Sequence, residues 1–202
     1  MKIERFVLAL LCAVWLAADE IKDAYYKSYD YEKMGAYEEA IKVLRPIYDR
    51  YPNGYTLNLR LGWLFYKMGR YANAIEHYKK ASLIIPSSLE PRLGLAMVYL
   101  AMGRYEDAAR AAGVVLRTDY YNYYGNLYLA KALLGKKEYK DAAAVAKKML
   151  ALYPTDVRFL EQLAKAFEVL FPDRAKKIYE DILILDPNNV AAREYLKARK
   201  SR

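Results

Sequence analysis

Four residue types recur along this chain at a step of 34, and that step constrains the fold more than any single residue does. Gly35, Gly69 and Gly103 keep it, as do Tyr37, Tyr71, Tyr105 and Tyr139, and Ala40, Ala74, Ala108 and Ala142. Pro52 and Pro86 follow it, and Pro154 resumes it after a miss at Tyr120. A fixed period of this length means stacked copies of one supersecondary unit, none of which buries its apolar face alone. An irregular helical bundle would not place identical residues 34 apart. Stacks of this kind form one continuous body with a long concave face, and such faces mostly bind other chains.

Residues 55–88 show what the unit is. Apolar residues recur at helical spacing in two runs, broken at Met68-Gly69-Arg70. A helix A is predicted from Thr56 to Lys67 and a helix B from Ala72 to Ile85, with Pro86 ending the second. Gly62, Ala74 and Ala81 fall where the two helices cross closely, and Leu61, Phe65, Tyr71 and Tyr78 fill the space around them.

These residues resemble the tetratricopeptide repeat family, whose unit carries small or large side chains at eight fixed positions. In residues 55–88 they are Asn58, Leu61, Gly62, Phe65, Ala74, Tyr78, Ala81 and Pro86, and only Asn58 departs from type. Residues 21–54 match in their second half, while Lys27 and Ser28 replace the usual Leu-Gly pair. Residues 89–122 match through Leu95, Ala96, Tyr99, Gly103, Tyr105, Ala108 and Ala112. Residues 123–156 match through Leu129, Ala130, Leu133, Tyr139, Ala142, Ala146 and Pro154. A fifth unit, 157–189, is one residue short, with Phe171-Pro172-Asp173-Arg174 in place of the glycine turn. Residues 190–202 read as a capping helix, with Ala192, Tyr195 and Leu196 covering the last helix B. The resemblance implies an all-α fold, an α-solenoid of five helix-turn-helix units in a right-handed superhelix.

Residues 1–18 precede the repeats. Lys2 and Arg5 give a basic start, and Phe6 to Ala18 is uncharged. Thirteen residues cover roughly 20 Å as a helix, short of the ~30 Å bilayer core. A basic start, a short apolar stretch and small residues at its end describe a secretory signal peptide, with cleavage expected after Ala18. An uncleaved anchor, a lipidated Cys12 and an apolar helix packed on the first repeat are the alternatives; Leu11 before Cys12 is a poor lipidation context. Export implies a periplasmic or cell-envelope location. A chain starting near Asp19 has no cysteine, since Cys12 is the only one, and that suits an oxidising space.

The resemblance also implies which side chains line the concave groove, because the family presents fixed positions of helix A there. The first two units supply Tyr25, Tyr29, Leu59, Trp63, Tyr66 and Lys67. The next two supply Leu93, Met97, Leu100, Tyr124, Leu127, Lys131 and Leu134. Charges such as Glu32 and Lys33 are placed mostly at the edges. A contiguous apolar surface of this kind marks an interface, and Tyr and Trp commonly carry binding hot spots. A partner helix or extended segment is the expected occupant. A carboxylate clamp is not expected, because Lys33, Lys67, Lys131 and Lys165 lack the asparagines that would pair with them.

Chemistry is harder to find. His77 is the only histidine, placed on a helix B as an outer or inter-helix residue, so a zinc site or a Ser-His-Asp set has no support. No glycine-rich phosphate loop is present. Carboxylates are assigned to solvated faces or to capping positions such as Asp119, Asp156 and Asp173. The net charge of +9 is scattered, and export makes nucleic acid an unexpected partner. Membrane contact is expected only through an uncleaved N-terminus or the basic C-terminal helix. The reading is a non-enzymatic adaptor of the cell envelope without cofactor or metal, binding a protein or peptide segment in its groove. The alternative is a self-assembling structural protein that uses its tyrosine-rich surfaces, since 22 tyrosines stand against 5 Phe and 2 Trp.

Overall fold

In the computed structural model, residues 19–200 are described; the apolar run Phe6–Ala18, its cleavage point and the last two residues lie outside them. The described residues are helices joined by short turns, with no strand. Helix α1 covers residues 19–33. It is followed by α2 (Tyr37–Lys42), α3 (Arg45–Arg50), α4 (Tyr55–Lys67), α5 (Tyr71–Ile84) and α6 (Glu90–Ala101). Then come α7 (Tyr105–Thr118), α8 (Tyr123–Gly135), α9 (Tyr139–Leu150), α10 (Val157–Leu170), α11 (Pro172–Leu185) and α12 (Val190–Lys200). The expected helices A and B of residues 55–88 are α4 and α5, each starting one residue earlier than predicted.

The turn from helix A to helix B is the same in the first four copies. In the second repeat the Gly69 N–H reaches the Tyr66 carbonyl and the Arg70 N–H the Phe65 carbonyl, the paired bonds that close a helix through a left-handed residue. Gly35, Gly69 and Gly103 take φ of 75°, 73° and 68° at this position, which a side chain disfavours. The fourth copy has Lys137 there, at φ 64°, with bonds to Leu134 and Leu133 of the same pattern. The step of 34 therefore persists in the backbone where the glycine is missing. In the fifth copy a single residue, Phe171, separates α10 from α11, and Pro172 starts the new helix at a position where its missing N–H costs nothing.

Helix B of the first repeat is interrupted, which the periodicity did not predict. It splits into α2 and α3 around Val43 and Leu44. Pro46 has no N–H to offer the Lys42 carbonyl, so the ladder breaks one turn before it. Leu44, at the break, is fully buried.

The chain divides into two compact units, residues 1–91 and 92–202. In the first, Ala24, Ala40, Leu44, Ile47, Leu57, Leu61 and Leu64 form the core. Gly62 lets α4 approach α5, since a Cβ there would stand 2.9 Å from the Tyr78 ring. In the second, Leu133, Ala142, Ala146, Leu163, Ala166, Phe167 and Ala175 pack α8 to α11 together. Helix α12 closes this unit: Ala192 is fully buried, and the Tyr195 ring lies 4.4 Å from that of Tyr179. Arg199 donates to the Pro172 carbonyl at 2.8 Å, so a basic residue satisfies a backbone group at the end of the cap.

Candidate protein-interaction surface

The groove residues expected from the sequence divide between the two units, and each set is described in its own unit. In the first, Tyr29 is 47% exposed, Tyr25, Leu59, Trp63 and Tyr66 are half-buried, and Lys67 is exposed. The Trp63 and Tyr66 rings are 5.7 Å apart, and the Lys67 ammonium sits 5.5 Å from the Trp63 ring. These side chains thus form one aromatic cluster on α1 and α4.

A charged pair stands inside this cluster, not at its edge. The Arg60 guanidinium is buried, stacks 3.8 Å over the Tyr29 ring and donates to Glu32. It also donates to the Ser28 hydroxyl at 3.2 and 3.1 Å and to the Ser28 carbonyl at 3.0 Å. Trp63 Nε1–H donates to the other Glu32 oxygen at 2.5 Å. Burial pushes the Glu32 carboxyl up, but the hydrogen bonds from Trp63 and Arg60 and the charges of Arg60 and Lys67 outweigh it, so Glu32 is held below the usual carboxylate range. Ser28, which looked like an irregular substitution for the family's small residue, is the buried anchor of this pair. Glu32 and Arg60 are 28 residues apart and Ser28 and Arg60 are 32 apart, so the contact joins helix A of the first repeat to helix A of the second. An arginine between Leu59 and Leu61 is the sequence signal of this pair.

Beside the pair lies an open cleft of about 470 Å³, lined by Tyr29, Glu32, Tyr55, Thr56, Leu59, Arg60, Trp63 and Glu90. Tyr55 closes one side, with its hydroxyl 2.6 Å from Ser88 Oγ and donating to Glu90 at 3.1 Å.

In the second unit Leu93, Met97 and Leu100 are half-buried along α6. On α8, Tyr124 is 47% exposed, Lys131 is exposed and Leu134 is half-buried. Leu127 is corrected: only 3% exposed, it joins Met149 and Phe159 in the core and is unavailable to a partner. The Lys131 ammonium is held below the usual lysine range, first by desolvation and then by the neighbouring positive charge of Lys165.

His77 takes the inter-helix of its two expected placements, and Asn58 is the residue that meets it there. His77 is buried, stacked on Phe65 at 5.3 Å with Tyr48 edge-on at 5.3 Å. Asn58, the residue that departs from the family pattern, donates through Nδ2 to the carbonyls of Pro52 and Gly54 at 2.9 and 2.8 Å. Its Oδ1 therefore faces His77 Nδ1 at 2.9 Å, which assigns that proton to the imidazole. Burial holds His77 below the usual histidine range. Asn126, 68 residues on, repeats the arrangement with the carbonyls of Tyr120 and Asn122. Of the expected acidic caps, Asp156 does accept from the Arg158 and Phe159 N–H groups. At Asp119 it is Asn122 that caps α8, through the Gly125 N–H.

No group of three or more His, Cys, Asp or Glu stands in metal-binding proximity among the described residues. The arrangement offers hydrogen bonding, aromatic contact and charge, which are the means of holding another chain.

Two family models described as "Tetratricopeptide repeat" match residues 27–83 and 65–128. The chain belongs to the tetratricopeptide repeat family, whose fold is generally a protein-interaction scaffold and generally non-catalytic. No curated protein matches by sequence. Among solved structures, MamA from Desulfovibrio magneticus is 17% identical, with a TM-score of 0.74 over 85% of this chain and 98% of that one. A tetratricopeptide repeat protein from Parabacteroides merdae is 18% identical, with a TM-score of 0.76 over 88% of this chain and 71% of that one. A thermophilic repeat protein from Thermus thermophilus is 20% identical, with a TM-score of 0.69 over 88% and 98%. At these identities the likeness is one of fold.

Proposed function

We propose that this protein is an adaptor of the cell envelope that holds a segment of a partner protein against the helix A faces. One observation carries the reading: the half-buried Tyr29–Trp63–Tyr66 cluster, with the buried Arg60–Glu32 pair set into it, beside an open cleft. Aromatic rings fixed by neighbours lose little freedom when a partner covers them, which is why such residues dominate binding energy. The Arg60–Glu32 pair holds Trp63 in place by accepting its N–H, so the face is organised before any partner arrives. The envelope location rests on the N-terminal sequence pattern, basic at Lys2 and Arg5 and uncharged from Phe6 to Ala18. Exchange of both Trp63 and Tyr66 for Ala is expected to weaken capture of the native partner from envelope extracts by about 30-fold or more, at unchanged far-ultraviolet circular dichroism. Equal capture by the double variant overturns the reading.

A further inference from the structure

The open cleft beside the Arg60–Glu32 pair belongs to the first unit alone, and its lining says what sort of group enters it. Three of its side chains are aromatic: Tyr29, Tyr55 and Trp63. Its charged members are Glu32, Glu90 and Arg60, two acids against one base. That balance runs against the chain as a whole, whose net charge is +9.

Arg60 is spent inside the protein. Its side chain is only 5% exposed. Nε and Nη2 donate to Ser28, Nη1 donates to Glu32, and the guanidinium carbon stands 3.8 Å from the Tyr29 ring centre. The Arg60 charge is thus matched by Glu32, and Glu90 is the acid left over. Glu90 is exposed, at the first residue of α6. The Tyr55 hydroxyl donates to one of its oxygens at 3.1 Å, so Ser88 is the donor in the 2.6 Å contact with Tyr55. These two hydroxyls hold Glu90 beside the aromatic walls, and a carboxylate can accept further bonds beyond the one from Tyr55. Trp63 is held too: its N–H goes to Glu32, so the indole meets a partner with its ring.

A ring face attracts a cation through its quadrupole, Trp most of all, and a carboxylate adds charge and hydrogen bonding. The protein already shows the first of these with its own Lys67, whose ammonium stands 5.5 Å from the Trp63 ring and outside the lining of the cleft. We infer that the cleft receives a lysine or arginine side chain of the bound segment, its cation against Trp63 and its N–H groups on Glu90. The inference rests on the helix A face being a partner site, and it names the group that the partner presents there. The apolar stem of such a side chain suits the half-buried Leu59. An acidic segment would meet Glu90 as a like charge, with the donors of Arg60 already engaged, so the same lining selects against it.

The test uses the full chain with Trp15→Phe, which leaves Trp63 as the one tryptophan, and reads its fluorescence. The probes are short capped peptides of alanine and leucine with arginine, lysine, glutamine or glutamate at the centre. The arginine and lysine peptides are expected to bind about 10-fold more tightly than the glutamine peptide, and the glutamate peptide more weakly than it. Glu90→Gln, an exposed change at a helix start, is expected to remove most of that preference at an unchanged urea midpoint. Lys67→Gln, which takes a competing cation off the Trp63 ring, is expected to tighten the arginine peptide about 3-fold. Equal binding of the four peptides overturns the inference, as does a preference that survives Glu90→Gln. So does silence toward the arginine peptide at about 10 mM, or Trp63 emission that changes with protein concentration alone, the cleft then joining copies of this chain. Equal peptide binding together with lost partner capture in the Trp63 and Tyr66 double variant removes this inference only. Unchanged capture by that double variant removes the partner reading and this inference with it.

Discussion

Lys137 is a left-handed residue in a place where three other copies of the turn have glycine. A Cβ in that conformation costs about 1–2 kcal/mol, partly offset by the lower unfolded-state entropy of a non-glycine residue. Lys137→Gly is therefore expected to raise stability by about 0.5–1 kcal/mol, measured by urea unfolding. His77 carries the other prediction at this scale. Its folded pKa lies below the unfolded value, so the unfolded chain binds the proton more readily. Stability is then fully present above about pH 6.5 and falls as pH drops from there toward the lowered folded value. Unfolding free energies between pH 5.5 and 7.5 are expected to show that slope, and His77→Gln to flatten it. With a single histidine in the chain, no other unperturbed side chain titrates in that window. Lys137 stands one step of 34 beyond Gly103, so the period marks the turn even where glycine is missing. His77 illustrates what the sequence does not show, because Phe65 and Tyr48 cover it from other helices and Asn58, which a family pattern marks only as a departure, supplies its hydrogen bond.

Element by element, the repeats prove to be alternating versions of one unit. Tyr55 and Tyr123 each start a helix A and reach Ser88 and Asp156, and Asn58 and Asn126 each tie the preceding turn to that helix. Lys80 and Lys148, also 68 apart, each lie over a tyrosine ring, at 5.0 and 3.8 Å. The starts of α4 and α8 are therefore fastened by the same pair of side-chain types. The Tyr123 hydroxyl is pushed up to about 12 by burial and then by the hydrogen bond to Asp156, and so stays protonated and a donor. The helices themselves were legible to within a residue in α4 and α5, since their period and breakers are local. The split at Val43–Leu44 was not, although Pro46 was in plain view, because a proline in a helix pattern does not say whether the chain kinks, stops or restarts.

At the scale of the whole molecule, the chain is two compact units, each with its own buried cluster. Repeat stacks gain stability from intrinsic and nearest-neighbour terms, so damage stays local. Leu64→Ala, at a fully buried site of the first unit, is expected to cost about 2–5 kcal/mol. Hydrogen exchange should then show lost protection in α1 to α5 and unchanged protection in α8 to α12. Uniform loss across both units would show that the chain unfolds as one block.

The sequence by itself determined the all-helical repeat, the family, the positions of the turns and the aromatic residues of α1 and α4. These follow from periodicity and from local backbone preference, which need no knowledge of distant contacts. Only the tertiary structure decided that Leu127 faces the core, that Arg60 and Glu32 form a buried pair inside the aromatic cluster, and that Asn58 orients His77. Which side of a helix is covered, and by what, is set by the neighbouring repeat. Residues some 30 apart meet through packing, and single-sequence patterns record the spacing without the contact.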